Sequence, residues 1–551
     1  MKKTLTTILI FAAVLSAMLA LAALAERVLP QPEPVEAAET SAAAAELTSG
    51  VGGGDILLEV DRARVTGRGA LSQAGTVTIA YPGTYYITGS LTDGQIVIDC
   101  GDLSGAVCLV LDGVEIVSSS GPAIYVKNAE LTVLELAAGS QNKVLDGADY
   151  VLTEGTKTNT GAAIYSADDL VLRGEGTLTV SGAAADGIRS KDGLTVESGV
   201  VTVYAVDDAL QGSDYVTVTG GILSLHSYGD GVKTTEGNVN ISGGGIHIIC
   251  GGDGIDSAQD VSVTGGELTV TAYGGAEQYE AIARGGISAK GIKGMNIDLA
   301  GGTVTLNTAD DGVHADDSIT VSAGVFTILS GDDAFHADQR ILMRGGTVAA
   351  VGYEGLEADA VRLDDGAVEI TAQNNGVDAG AGGFVMAGGA FTAAAEDPIA
   401  SDAAPVIAGG TAILIPTEAD SSLYLKDAVV GGTLVLLGAG TQPSLTEDGT
   451  MGASFLCLFP AGLPAGTELT VTDEAERQVL TVTVDRDCTA VLLTSGAMAV
   501  GQTYTVTAGE DALTAALTEG CTILQSAAWN NQGGMGNAGG PSGGPFGGPM
   551  R

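Results

Sequence analysis

The sequence is poor in basic and aromatic residues. Of its 551 residues, 23 are Lys or Arg and 67 are Asp or Glu, so the formal net charge is −44 at neutral pH. This charge excludes a nucleic-acid binder that works by neutralising phosphates. Aromatic residues make up 4% of the chain and the single Trp lies beside a Gly/Pro-rich C-terminal tail, so a flat aromatic platform for crystalline polysaccharide is hard to build.

The six cysteines include no CxxC pair, so neither a zinc ribbon nor a dithiol redox motif is supported. Apolar residues, in contrast, make up 45% of the chain, which suffices for a packed core. Glycine occupies 83 positions, about twice its usual share. This composition favours short strands joined by tight turns, and at this length it predicts a repeat architecture or several β domains.

The N-terminus predicts export. Met1-Lys2-Lys3 precedes an apolar run that extends to about Ala25 and ends in the small-residue motif Ala23-Leu24-Ala25. Residues 1–25 are therefore a signal peptide or, because the run is just long enough to span a bilayer, an uncleaved anchor. Residues 26–54 are predicted to be an acidic Pro/Ala-rich linker and residues 529–551 a disordered Gly/Pro-rich tail. We expect a secreted or cell-surface protein.

A four-residue motif, Asp-Gly/Ala-apolar-x, recurs along the middle of the chain. Its copies begin at Asp186, Asp208, Asp230, Asp253, Lys290, Asp311, Asp333, Glu354 and Asn375. The steps between them are 22, 22, 23, 37, 21, 22, 21 and 21 residues, and the long step contains an insertion at about residues 272–289. Each copy is followed by short alternating strands and a glycine turn. Such a unit is one turn, or rung, of a parallel β-helix, whereas WD40 blades and leucine-rich repeats do not fit its length or consensus.

We therefore predict an all-β chain with about 22 residues per rung. The parallel β-helix is expected over residues 55–410 and a small β domain over residues 411–528. The periodicity stops near Gly410, beyond which the alternating segments are longer and irregularly spaced. A repeat stack needs an atypical element to close its end, and the second domain would supply it.

The acids of the motif suggest a metal site. The third motif residue must face the core, so the first and fourth are expected to face outward. Stacking then repeats equivalent acids at about 4.8 Å, where like charges repel. We expect Ca²⁺ between them, because it prefers clustered oxygen ligands. The candidate ligands are Asp207, Asp208, Asp230, Asp253, Asp256, Asp310, Asp311, Asp332 and Asp333. The alternative is a column of turn carboxylates that bond only the backbone and water.

Lys233, Lys290 and Lys293 are cations inside this acidic column. One interpretation is that they neutralise the column. Another is that they hold an acidic sugar. A third is that Lys233 or Lys290 serves as the base of a calcium-assisted β-elimination, in which the metal acidifies the proton next to a sugar carboxylate.

His314 and His336 are expected one rung apart. The pair suggests zinc, but no further nitrogen or thiolate ligand accompanies it, so a surface or ligand-contact pair is favoured. Tyr228 and Tyr353 lie on or near the motif turns, where they would either stack on a sugar ring or be partly buried at a corner.

Four segments occur in order along the chain: GTYYITGS at 83–90, DALQGSD at 208–214, GDDAFHAD at 331–338 and YEGLEA at 353–358. Together they resemble the clostridial-type carbohydrate-binding β-helix family, over roughly residues 55–525. The resemblance implies a secreted right-handed parallel β-helix, similar in architecture to pectate lyases. It also implies calcium on the Asp-rich turns and binding of cell-wall polysaccharides, including cellulose and pectic acid, without an established enzymatic role.

We therefore expect calcium-carrying, non-catalytic binding of a plant cell-wall-type polysaccharide, pectic acid and/or cellulose, at the cell surface. The expected partner is a polysaccharide and not a nucleic acid, with the membrane contacted only through an uncleaved anchor and the protein acting as a monomer. The candidate sugar-contacting residues are Lys233, Lys290, Lys293, His314, His336, Tyr228 and Tyr353. Two alternatives stay open: a calcium-dependent pectate-type lyase with Lys233 or Lys290 as base, and a structural surface adhesin.

Overall fold

The computed structural model describes residues 52–119, 121–148, 160–417, 428–438, 453–484 and 486–526. The predicted signal peptide or anchor, most of the linker and the C-terminal tail lie outside the described residues. Among the residues that are described, no helix is both long enough and apolar enough to cross a membrane.

The described chain is nearly all β-structure, wound into about 15 turns whose strands pair in parallel with those of the neighbouring turns. The predicted parallel β-helix is confirmed. Each rung contributes strands to three faces. The motif face carries the Asp-Gly/Ala-apolar-x motif, and the chain then turns onto face A and from there onto face B. Successive motif copies pair in register, as when Ile188 pairs with Leu210 and Leu210 with Val232.

The strands divide among these faces by their pairing. The motif face has Thr76–Ile79, Gln95–Asp99, Ile124–Asn128, Ala162–Ser166, Asp186–Ser190, Leu210–Gly212, Val232–Thr234, Ile255–Asp256 and Ala400–Ser401. Face A has Leu131–Leu136, Asp169–Gly174, Gly193–Val196, Tyr215–Val218, Asn238–Ile241, Val261–Val263, Val406–Ile407 and Val429–Val430. Face B has Gln141–Asp146, Thr177–Gly182, Val200–Ala205, Ile222–Ser227, Gly245–Cys250, Glu267–Ala272, Thr303–Thr308, Val325–Ser330, Thr347–Gly352, Ala367–Ala372, Ala390–Ala395, Thr411–Pro416 and Thr433–Gly438.

Some strands pass from one face to the next without a break. Those that run from the motif face onto face A are Ile292–Leu299, Val313–Val321, Phe335–Met343, Leu356–Leu363 and Val377–Met386. Those that run from face A onto face B are Gly52–Val60, Gly83–Leu91 and Ala106–Ser118. Equivalent residues therefore stay one above another even where a single strand continues through the corner between two faces.

The core is filled by the inward side chains of all three faces. On the motif face the third motif residue is buried, as Ile188, Val232 and Ile255 show at 0–1% exposure. One continuous cluster of buried apolar residues extends from Ile56 to Leu492. Burial of this column is the main force that holds the rungs together, because apolar burial dominates folding free energy.

Glycines explain the sharp turn from face A to face B. On ten consecutive rungs the residue before the face B strand is a glycine with a positive φ: Gly199, Gly221, Gly244, Gly266, Gly302, Gly324, Gly346, Gly366, Gly389 and Gly410. A Cβ on Gly244 would lie 2.9 Å from the carbonyl oxygen of Gly221 on the rung before. Both the left-handed backbone and the close contact require glycine at this corner.

The predicted insertion is a helical segment between two stacked rungs. It contains the 3₁₀ helix Ala276–Gln278 and the α-helix Tyr279–Gly285, which is anchored by the buried side chain of Ile282. Ser288, near its end, donates its hydroxyl to the carboxylate of Asp253 at 2.7 Å. The insertion therefore packs against the motif face without interrupting the stack.

The two ends of the stack are closed by antiparallel strands. At the N-terminal end Arg62–Val65 pairs with Gly52–Val60, and Ala70–Gln73 pairs with Thr76–Ile79. At the other end parallel pairing continues past residue 410, from Ala390–Ala395 to Thr411–Pro416 and on to Thr433–Gly438. Two further face B strands thus follow the boundary that we predicted from the motif.

Cys488–Ser495 then pairs antiparallel with the last of these strands, and Ser454–Leu463 and Cys521–Gln525 extend the same sheet. A separate antiparallel sheet is formed by Gln478–Thr483, Glu468–Asp473, Thr503–Ala508 and Asp511–Ala516, in that order. Its inner side chains join a second apolar cluster.

Ile255 and Ile249 provide a matched test of the core. Ile255 is fully buried on the motif face. Ile249 lies on the face B strand that precedes it in the sequence and is 42% exposed. We expect Ile255→Ala to lower the free energy of unfolding by about 2 to 5 kcal/mol in urea denaturation, because it leaves a cavity. Ile249→Ala should change it by less than about 1 kcal/mol. Equal losses in the two variants would contradict the assigned facing of the strands.

Candidate functional site

The first residue of every motif copy except Lys290 is buried, which differs from our expectation that it would face outward. Asp208, Asp230 and Asp253 are 3–8% exposed. Their Oδ1 atoms accept the backbone N–H of the equivalent residue on the next rung, at 2.8 Å from Asp230 to Asp208 and 2.7 Å from Asp253 to Asp230. The column is therefore a carboxylate ladder that satisfies buried backbone donors.

In four copies the second oxygen of the ladder carboxylate faces the fourth motif residue, which is only partly exposed. The pairs are Arg189 Nη1 with Asp186 at 3.2 Å, Lys233 Nζ with Asp230, His314 Nδ1 with Asp311 at 2.7 Å, and His336 Nδ1 with Asp333 at 3.2 Å. In these four copies the motif thus supplies an acid and, three residues later, a group that can donate a hydrogen bond to it. Arg189 and Glu357, which also lies in this column, were not among our predicted site residues.

The ladder carboxyls differ in how well their charge is compensated. Burial raises the pKa of Asp208 to about 7 and that of Glu354 to about 7. Burial acts in the same direction on Asp311, but hydrogen bonds and charge from His314 and Lys290 lower the pKa of that carboxyl to about 2. Charge compensation is therefore weaker at Asp208 and Glu354 than at Asp311.

The structure groups the predicted calcium ligands into clusters whose candidate ligand atoms lie within 4.8 Å of one another. These clusters are Asp230 with Asp253 and Asp256, Asp310 with Asp311 and Asp332, and Asp207 with Asp208 and the unpredicted Asp186. Asp333 falls instead into a group with His336 and Glu357.

Lysine ammonium groups already serve two of these clusters. Lys293 Nζ lies 3.3 Å from Asp256 and 3.8 Å from Asp253. Lys290 Nζ lies 2.9 Å from Asp310 and 2.7 Å from Asp311. A cation at hydrogen-bonding distance supplies the charge for which we expected calcium, so these two clusters fit calcium less well than their carboxylates alone suggest.

The cluster of Asp186, Asp207 and Asp208 fits calcium best. Asp207 is exposed, and Lys233 approaches Asp208 only to 3.8 Å. Arg189 bonds one oxygen of Asp186. Three carboxylates with one paired guanidinium carry excess negative charge, and the exposed Asp207 offers oxygen ligands of the kind that calcium prefers.

The lysines are held in their protonated form. Burial by itself lowers the pKa of Lys233 and Lys290, but hydrogen bonds and charge from the surrounding Asp230, Asp310 and Asp311 outweigh it and raise both pKa values. A general base must be unprotonated to accept a proton. This geometry disfavours Lys233 and Lys290 as the base of a β-elimination and favours their role as counter-ions.

The histidines stack where the sequence placed them, with ring centroids 4.7 Å apart and planes 9° from parallel. Hydrogen bonds from His336 to Asp333 and Glu357 raise the pKa of its imidazole to about 10. The surrounding carboxylates thus favour a positive charge at this position.

The two predicted tyrosines both lie at the corner between face B and the motif face. Tyr228 is 81% exposed and Tyr353 is 43% exposed, so neither is buried at the corner. The sequence analysis missed a neighbouring aromatic pair on face B, where Tyr204 and His226 stack at 5.0 Å. The available signal was a Tyr followed one rung later by a His at outward positions of alternating strands.

Raised carboxyl pKa values make stability depend on pH. The folded pKa of Asp208 lies near 7 and an unfolded Asp titrates near 4. The folded state therefore binds more protons, and stability must fall as pH rises from about 4 to about 7. In chelator, we expect Asp208→Asn to reduce this loss by on the order of 1 to 4 kcal/mol in urea titrations at pH 5 and pH 8.

The exposed Asp102 provides a control, since Asp102→Asn should leave the pH dependence unchanged. A wild-type protein that is equally stable at both pH values would contradict the assigned burial of the ladder.

The central part of the chain is similar to proteins that are described as carbohydrate-binding. Residues 73–334 match the model of a family described as carbohydrate-binding domain-containing protein. A protein of that description from Acetivibrio thermocellus is 37% identical over 162 residues, which is 28% of this chain and 56% of the relative. The match thus spans little more than half the length of that relative.

A solved structure, that of the polysaccharide lyase-like protein from C. thermocellum as a gadolinium derivative, is 25% identical. It covers 53% of this chain and 96% of its own, with a TM-score of 0.35. The resemblance to a carbohydrate-binding family that the motifs suggested is confirmed, and the family model that matches covers residues 73–334.

Proposed function

We propose that this chain binds a cell-wall polysaccharide, without cleaving it, along the fourth-position column of the motif face. We call this column the charged strip. It consists of Arg189, Gln211, Lys233, Asp256, Lys293, His314, His336, Glu357 and Asp378. These nine residues pair in register along neighbouring strands, and this continuous polar strip is the observation that carries the proposal.

The dimensions of the strip suit a polymer. At about 4.8 Å per strand, nine residues extend over roughly 38 Å. The strip contains both donors and acceptors of hydrogen bonds, as a surface that bonds sugar hydroxyls requires. The exposed ring of Tyr228 lies at the adjoining corner, where it can pack on a sugar face.

The family description supports this assignment. The matched residues 73–334 include the first six members of the strip, from Arg189 to His314. The relative that is described as carbohydrate-binding adds weight to the ligand class and says nothing about which polysaccharide is bound.

Pectic acid and cellulose make different demands on this surface. A chain with a net charge of −44 repels an acidic polymer except where salt screens the charges. Arg189, Lys233 and Lys293 offset this repulsion locally, and a calcium ion held by Asp186, Asp207 and Asp208 would reverse the field there. A neutral glucan such as cellulose meets no such barrier. We propose that pectic acid is retained only with calcium and that cellulose is retained without it.

We further propose that the protein works outside the cell, where a predicted export signal would deliver it. The lyase alternative is disfavoured because the surrounding carboxylates raise the pKa values of both predicted bases, Lys233 and Lys290. The adhesin alternative differs from the present proposal in one measurable respect, because it needs no sugar retention.

Tyr228→Ala tests the binding surface. In affinity gel electrophoresis on cellulose and pectic acid, we expect this change to weaken retention about 3- to 10-fold, the value of one lost ring contact. Tyr86→Ala is the matched control, because Tyr86 is 54% exposed on a different face and should leave retention unchanged. Failure of the wild-type protein to be retained on either polymer, with calcium present, would refute the binding proposal and leave the adhesin.

Asp207→Asn tests the calcium proposal. Calcium at about 100 times its dissociation constant should stabilise the wild-type protein by about 2.7 kcal/mol, seen as a higher midpoint of thermal unfolding than in chelator. The variant should lose this gain, while Asp214→Asn, an exposed acid at another corner, should keep it. If calcium leaves the wild-type midpoint unchanged, the Asp column is a backbone ladder and holds no calcium.

A further inference from the structure

The stacked histidines belong to the charged strip, and their outward edges form a further cluster with two carboxylates that lie outside the strip. His314 and His336 are paired across neighbouring strands. The inner nitrogen of each ring is bound to a carboxylate: His314 Nδ1 lies 2.7 Å from Asp311, and His336 Nδ1 lies 2.9 Å from Glu357. Because carboxylates only accept, each Nδ1 carries the hydrogen.

The other nitrogen of each ring faces an exposed carboxylate. His314 Nε2 lies 3.7 Å from Asp316 Oδ1, and His336 Nε2 lies 3.8 Å from Asp338 Oδ1. These separations are too long for hydrogen bonds. They are close to the spacing of two ligand atoms on one tetrahedral ion, which is about 3.4 Å for bonds of about 2.1 Å.

We propose that His314, His336, Asp316 and Asp338 bind one divalent transition-metal ion of the zinc class. Two imidazole nitrogens and two carboxylates suit such an ion, whereas calcium takes oxygen ligands only. Two neutral imidazoles and two carboxylates also balance its charge of +2.

The inner carboxylates strengthen the argument. A histidine that binds a metal through one nitrogen usually donates the N–H of the other to a carboxylate, which fixes the ring and increases its basicity. Asp311 accepts the Nδ1–H of His314 in this way, and Glu357 accepts that of His336. The sequence showed the histidine pair but not these contacts, and so it favoured a plain surface pair.

Binding requires the site to close. The ring centroids are 4.7 Å apart, farther than the roughly 3.4 Å that separates two ligand atoms on one tetrahedral ion, so the two rings must move toward each other. The side chains of Asp316 and Asp338 are 55% and 61% exposed and can turn toward it. The bound ion would link the segments that follow the motif on two successive rungs. Metal binding at this cluster does not require polysaccharide binding, although both histidines also belong to the charged strip.

The test uses the whole chain freed of metal and titrated with Zn²⁺ or Co²⁺. We expect one ion per chain by equilibrium dialysis, and visible ligand-field bands of four-coordinate cobalt. His314→Gln and His336→Gln should each weaken binding at least tenfold, and Asp316→Asn combined with Asp338→Asn should do the same. Protons compete with the ion for the imidazoles, so zinc uptake should release protons.

The chain offers an exact control, because it has only four histidines. The double variant His226→Gln with His247→Gln removes the other two and should bind zinc as the wild type does. Circular dichroism confirms that each variant is folded. The proposal is overturned if the His314 variant keeps wild-type affinity, if the control variant loses it, or if millimolar calcium displaces the zinc.

Discussion

The structure depends on in-register stacking of equivalent residues at about 4.8 Å. This spacing repeats whatever the sequence places at a position, so a favourable contact is multiplied along the stack and an unfavourable one is multiplied too. Aliphatic residues such as Ile188 and Val232 gain from this repetition, because each packs on the apolar residue at the equivalent position of the next rung. Carboxylates at the first motif position face the opposite problem, since each one repels its copies above and below.

The chain answers that repulsion in three physical ways. Backbone N–H groups donate to one oxygen of the ladder residues, as Asp253 does to Asp230. Lysine, arginine or histidine side chains meet the other oxygen. Where neither suffices, as at Asp208, burial favours the protonated acid. The same cations that relieve the ladder line the outer surface of the motif face, so the requirement for stability and the proposed sugar contacts fall on one set of side chains.

The repeat of about 22 residues was enough to predict the fold and to place the fourth-position residues in one column. It could not reveal that Asp208 and its equivalents are buried, because period-two alternation treats every non-core position as exposed and ignores the corner at which these residues lie. The sequence also could not identify which carboxylates the lysines contact, because a contact such as that between Lys290 and Asp310 joins different rungs. The predicted end at residue 410 marks where the motif stops, although face B continues to Thr433–Gly438 without it.

The helical insertion between Asp253 and Lys290 shows that the parallel β-helix tolerates extra residues at the corner between two faces. Ile255 pairs directly with Ile292 although the intervening rung is longer by about 15 residues than its neighbours. The strands therefore register with one another regardless of the length of chain between them. Evolution can lengthen, shorten or exchange such an insertion beside the proposed sugar-binding surface while the stack is inherited unchanged, so that ligand preference and fold are free to diverge at different rates.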